Sequence, residues 1–176
     1  MVVFDSSVLL LVLDPNARPP SGPVTGKAVE RAPDRIEYLI MNLTAAKEKI
    51  IIPTPVLCEV LVRADAAMSE YLGILNGSAA FRIVPFDQKA AIEAAIDMNA
   101  ALKSGGLRAN AQDADTTKTK IKFDRQIVAI AKAEGAHTIY SDDKHVHSYA
   151  SRAGLKAIRT ADLDLPPEDP QTAFEI

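Results

Sequence analysis

The chain has a single cysteine, Cys58, among 176 residues. That excludes a disulfide framework and any zinc site built on cysteines. With no histidine–asparagine pattern around it, Cys58 is expected to be a packing residue. Long apolar runs are missing as well: the early run Val8 to Leu13 covers six residues, against the roughly 20 that a membrane span requires. No basic segment precedes that run and Asp5 interrupts it, so a signal peptide is not expected. These absences read as a reduced, cytoplasmic protein without membrane association. Aromatic residues, at 5%, offer little surface for stacking nucleobases, with Phe123 and Tyr140 the nearest to hand. His137, His145 and His147 lack the spacing of paired metal ligands and are expected at the surface. Gly105-Gly106 matches neither a phosphate loop nor a dinucleotide fingerprint. A formal charge of −3 excludes a wholly basic nucleic-acid binder.

What is present is an ordinary globular composition, 48% hydrophobic and 24% charged. A chain of this length forms one domain and buries about 70% of its extended surface on folding. Val2-Val3-Phe4 predicts a strand ending at Asp5, followed by a helix over Val8 to Leu13. Residues 14–33 contain Pro15, Pro19, Pro20, Pro23 and Pro33 and read as an irregular loop. Ile36, Leu39, Ile40 and Leu43 repeat at helical spacing and predict a helix over 34–48. Ile50 to Ile52 is a buried strand, and Pro55 opens the helix that follows it. Met68, Tyr71, Leu72 and Leu75 mark another helix, and Phe81 to Pro85 a third strand.

An alanine-rich helix over 88–103 stops at the glycine pair and is read as a packed helix or a dimer face. Residues 104–119 are polar and unpatterned and are expected to form a mobile loop. Asp124 opens a helix ending at Gly135; Thr138 to Tyr140 is a strand; a short helix follows to Gly154, and Leu155 to Ile158 is a last strand. Strands alternating with helices predict an α/β domain with a mostly parallel sheet over 1–159. An acidic, proline-containing tail follows over 160–176.

Functional groups in open α/β sheets gather beyond the carboxyl ends of the strands. Carboxylates recur there: Asp5 after the first strand, Glu59 in the helix after the second, Asp142 and Asp143 after the fourth. Asp124 lies on the same helical face as Ile127, Val128 and Ala131, where an unpaired charge costs several kcal/mol. Singly, Asp5 and Asp124 are equally compatible with helix capping, Glu59 with a solvated helix face, and one residue of the Asp142-Asp143 pair with a turn or cap. Together they imply more. Carboxylates about 5 Å apart repel by roughly 3 kcal/mol per pair at an effective dielectric of about 20. Such a cluster persists only with protonation or bound cations, and all-oxygen ligands favour Mg²⁺ or Mn²⁺.

Asp5-Ser-Ser, Glu59, the segment "IVPFD", Asp124 in "FDRQIVAIAKAEGA" and the acids of "IYSDD" resemble, in their order and spacing, the PIN domain, including its VapC-type toxins. The resemblance runs from Asp5 to Asp143 and implies a three-layer α/β/α sandwich. It implies metal-binding carboxylates at Asp5, Glu59, Asp124 and Asp143, with Asp142 as a neighbouring ligand and Ser7 as the hydroxyl supporting Asp5. The activity implied is hydrolysis of RNA phosphodiesters with one or two Mg²⁺ or Mn²⁺ ions, in a homodimer paired with a small antitoxin. His145 stands where the family often has a further acid, and the insert at 14–33 is unusual for compact toxins.

Lys118, Lys120, Lys122 and Arg125 outweigh Asp124 in the segment leading to the site and are candidate RNA contacts. The overall charge also divides. Residues 160–176 carry five acids and no base, which leaves +2 on residues 1–159, and +6 with the four candidate ligands set aside. Two alternatives compete with a nuclease. A non-catalytic PIN-like module would bind RNA or protein. A haloacid-dehalogenase-like phosphatase would need a second aspartate two residues after the first, where this chain has Ser7.

Overall fold

The computed structural model describes residues 1–103 and 118–167, with the side chains of Lys118, Thr119 and Ile121 outside the description. Five strands form one sheet: β1 (Val2–Phe4), β2 (Ile50–Pro53), β3 (Phe81–Val84), β4 (Thr138–Tyr140) and β5 (Lys156–Ile158). Their order is β3-β2-β1-β4-β5, and every pairing is parallel. The central strands read as unbroken apolar runs because both faces are covered. Val2, Val3, Phe4 and Ile50 to Ile52 are all at or below 1% exposure. The edge strands β3 and β5 carry Arg82 and Lys156 toward solvent, which discourages pairing with another sheet.

Among the described residues, seven α-helices connect and flank the strands: α1 (Ser6–Leu13), α2 (Ala32–Ala45), α3 (Thr54–Ala64), α4 (Met68–Gly77), α5 (Gln88–Lys103), α6 (Lys118–Ala133) and α7 (Lys144–Arg152). With the right-handed crossovers that parallel strands favour, the strand order puts α1–α4 on one face and α5–α7 on the other. Helix packing agrees: α1 contacts α2 and α3, and α6 contacts α5 and α7. Gly135 and Gly154, with φ of 68° and 75°, adopt the left-handed conformation just beyond α6 and α7. After Gly135 the Ala136 N–H donates to Ala131 O at 2.9 Å, satisfying a carbonyl at the helix end.

Several expectations need adjustment. The helix expected to open at Asp124 begins at Lys118, so Asp124 is in its second turn and does not cap it. The lysines of that segment are good helix formers, and their alternation with Thr and Ile hides the helical period. His145 is buried rather than superficial, on the α7 face that also buries Val146 and Tyr149. Cys58 is exposed instead of packed. The loop expected over 104–119 lies largely outside the described residues. In the 14–33 segment an isolated bridge joins Ser21 and Ala28, and Val29 reaches the core. Beyond β5, Thr160 and Leu163 are buried, and Arg35 donates to the Leu163 carbonyl. Among the described residues no helix is long and apolar enough to cross a membrane.

Candidate functional site

The sheet order reverses direction at β1, where β2 lies to one side and β4 to the other. Such a switch point opens a crevice at the carboxyl ends of the strands. Asp5 is the first residue past β1, and its N–H still donates to Tyr140 O of β4 at 3.0 Å. That bond places the Asp5 side chain at the mouth of the crevice. A cavity of about 600 Å³ opens there, and Asp5, Glu59, Asp124 and Asp143 all line it. Four carboxylates from four separated segments therefore share one space.

Each acid is held differently. Asp5, 4% exposed, sits at the N-cap position of α1 but makes no capping bond with its side chain. Its Oδ2 instead accepts from Ser141 Oγ at 2.6 Å and from Ser7 Oγ at 3.5 Å. Burial pushes its pKa up to about 6, against the hydrogen bonds from Ser141 and Ser6 and with the charges of Glu59 and Asp143. Asp124, 6% exposed, is raised further, to about 7, by burial first and then by Asp143, with Lys120 opposing. Its Oδ2 is buried with no hydrogen-bond partner among the described residues. Glu59 stands on the exposed flank of α3, where Arg63 donates to it at 2.8 Å.

Asp143 serves two purposes. Its Oδ1 caps α7 by accepting from His145 N at 2.7 Å, while Oδ2 pairs with Lys120 Nζ at 2.6 Å. Burial opposes its ionisation, but the Lys120 ammonium and the His145 N–H outweigh that and hold its pKa below the usual range. Asp142 is not brought into the cavity. Its carboxylate accepts from Thr160 N at 3.0 Å and Thr160 Oγ1 at 2.6 Å, so both oxygens are committed to anchoring the turn after β5.

Two hydroxyls organise the loop ends. Ser7 Oγ, besides touching Asp5, accepts from Asp142 N at 3.1 Å, and Ser141 Oγ accepts from Asp143 N at 3.0 Å. Ser141 is the closer partner of Asp5. It was visible in the sequence only as a spacer within "IYSDD".

The basic residues separate. Lys120 lines the cavity, paired with Asp143. Lys122 is exposed, and the side chain of Lys118 lies outside the described residues. Arg125 cannot meet a substrate as placed. It is 3% exposed, pairs with Asp97 on α5, and lies 4.5 Å over the Tyr149 ring. The cause is its position one residue after Asp124, which turns it toward α5 and α7 instead of the cavity. Two apolar side chains complete the rim: Phe123, 44% exposed, and Val62, 77% exposed.

The donor set is all carboxylate oxygen, the chemistry of a hard divalent cation. The unpartnered Asp124 Oδ2 is an acceptor that such a cation would satisfy. As the side chains stand, no three of the described His, Cys, Asp and Glu residues are grouped closely enough to enclose an ion. The fit is therefore one of donor type and shared cavity.

No family model and no curated protein matches the chain. Solved structures do. The chain is similar to the structure of FitAB bound to an IR36 DNA fragment, with a TM-score of 0.58 and 16% identity over 93% of this chain and 98% of that one. It is similar to VapBC2 from Rickettsia felis bound to a DNA fragment from their promoter, with a TM-score of 0.56 and 15% identity, covering 90% and 98% of the two chains. DNA-bound VapBC from Salmonella typhimurium gives a TM-score of 0.56 at 13% identity, covering 90% and 97%. The chain shares its fold with these structures, and the PIN-like α/β architecture expected from the order of its motifs is the one it adopts.

Proposed function

We propose that this protein hydrolyses RNA phosphodiester bonds with Mg²⁺ or Mn²⁺ held by Asp5, Glu59, Asp124 and Asp143. The observation that carries the reading is their convergence on one cavity, with a buried, unpartnered oxygen on Asp124. A divalent ion, when bound, supplies an activated water and neutralises charge on the scissile phosphate. The chain supplies the remainder. Ser141 and Ser7 hold the Asp5 carboxylate at the crevice mouth. The capping bond from His145 fixes Asp143 by one oxygen and leaves the other facing the cavity. Exposed Lys122 offers a phosphate contact, and exposed Phe123 on the rim offers a face for an unpaired base.

The same reading extends to partners. The FitAB and VapBC structures are complexes bound to DNA, and we assign this chain the role of the toxin subunit, a homodimer neutralised by a small antitoxin. The nuclease domain expected over residues 1–159 extends at least to Leu163, which is buried against the core. The test is cleavage of a set of single-stranded RNAs by the purified full chain. Activity is expected with Mn²⁺ or Mg²⁺, with none in chelator and none in Asp5→Asn. Equal cleavage in chelator, or by Asp5→Asn, rules out the mechanism.

A further inference from the structure

Lys120 precedes Asp124 by four residues, one turn of α6, so both side chains project toward the same cavity. Its ammonium lies 2.6 Å from Asp143 Oδ2. Hydrogen bonding to Asp143 and the charges of Asp143, Asp124 and Asp5 together raise its pKa. A single flexible cation thus sits among three of the four acids. Its side chain is 49% exposed, so swinging out to water costs little. Arg63 on Glu59 is a weaker parallel, because that pair stands at the more exposed rim.

We propose that Lys120 is a tethered counter-cation that competes with a divalent ion for the acidic cavity, so that metal entry displaces it and turns its ammonium toward an incoming phosphate. This deepens the metal-nuclease reading and rests on it. Without metal, the chain partly neutralises its own acids, and the repulsion among Asp5, Asp124 and Asp143 is reduced. Asp124 Oδ2 stays unpartnered beside this internal cation, so Lys120 answers only part of the demand for positive charge. A doubly charged ion answers more of it, and the displaced ammonium then stands next to the reacting centre. Metal occupancy and phosphate affinity become coupled through one side chain, and the coupling is necessarily reciprocal.

Mn²⁺ titration of the full chain, followed by the electron paramagnetic resonance signal of free Mn²⁺, tests this without any cleavage assay. Lys120→Met is expected to bind Mn²⁺ about tenfold more tightly than the parent. Lys120→Arg should bind as the parent does. Lys122→Met removes a nearby charge outside the cavity lining and should stay within about twofold. Unchanged affinity in Lys120→Met, or an equal gain in Lys122→Met, overturns the proposal while leaving the metal site standing. Failure of both parent and Lys120→Met to bind Mn²⁺ in a manner sensitive to Asp5→Asn overturns the metal reading itself. Lys120→Gln serves the same comparison if Lys120→Met does not fold.

Discussion

Ser141 and Asp5, 136 positions apart in the chain, meet as hydroxyl donor and carboxylate acceptor at 2.6 Å across the β1–β4 pair. The bond favours the ionised form of Asp5 and opposes the effect of its burial. Ser141→Ala should therefore raise the Asp5 pKa further, so the acid limb of the pH–activity profile moves to higher pH. The loss of a ligand-orienting partner is worth about 10- to 100-fold in activity. Ser141→Thr, which keeps the hydroxyl, should restore both. A pH-independent loss in Ser141→Ala would show that the hydroxyl acts only on the fold.

The pKa values of Asp5 and Asp124 give the metal-free protein an unusual pH dependence. Their folded values, about 6 and about 7, exceed the ordinary aspartate value of 3.8. Between those limits the folded state holds more protons than the unfolded chain, so stability falls as pH rises. For Asp5 alone the shift corresponds to about 3 kcal/mol, fully lost above its folded pKa. Thermal melts in chelator should show a higher Tm at pH 5 than at pH 7.5, with Asp5→Asn reducing the difference. Saturating Mn²⁺ should stabilise the protein at pH 7.5 far more than at pH 5.

Arg125 and Lys122 are close in sequence and differently placed, the first buried and the second exposed. Arg125→Ala removes the Asp97 pair and the contact with Tyr149. It should cost about 3 kcal/mol in urea denaturation, and Arg125→Lys should not restore it, because the planar stacked group is lost. Lys122→Ala should leave unfolding unchanged. In an Asp5→Asn background it should weaken RNA binding and reduce the salt slope by about one.

The adjacent aspartates also part company. Asp142→Ala leaves the buried Thr160 N–H and hydroxyl without acceptors, at a cost of about 2 kcal/mol, and should bind Mn²⁺ as the parent does. Asp143→Asn keeps an acceptor for the α7 cap and should hold stability within about 1 kcal/mol. Its activity should drop by about 100-fold or more. Reversal of these two phenotypes would place the ligand at Asp142.

Much of this was legible in the sequence, for identifiable reasons. VVF, III and TIY read as strands because central parallel strands are apolar throughout. Gly135 and Gly154 marked helix ends because each adopts a positive φ there. Asp124 stood out by lying on an apolar helical face, and it is buried. Other features depend on tertiary partners that local pattern does not carry. Arg125 reads as one more base of a cationic run until Asp97 and Tyr149 close around it. Asp142 and Asp143 differ only in what each meets, Thr160 for one and Lys120 for the other. The polar turns at Lys118–Lys122 concealed that α6 extends ahead of Asp124.

The central place of β1 has a consequence for synthesis. Asp5 leaves the ribosome long before Tyr140 and Ser141, the residues that hold its backbone and carboxylate. Until β4 docks, one edge of β1 is unpaired and the four acids remain dispersed along a nascent chain. Pairings of such long sequence separation form late in folding. The protein is therefore made without an assembled acidic centre, and the site comes together only once β4 and Asp143 have emerged and docked.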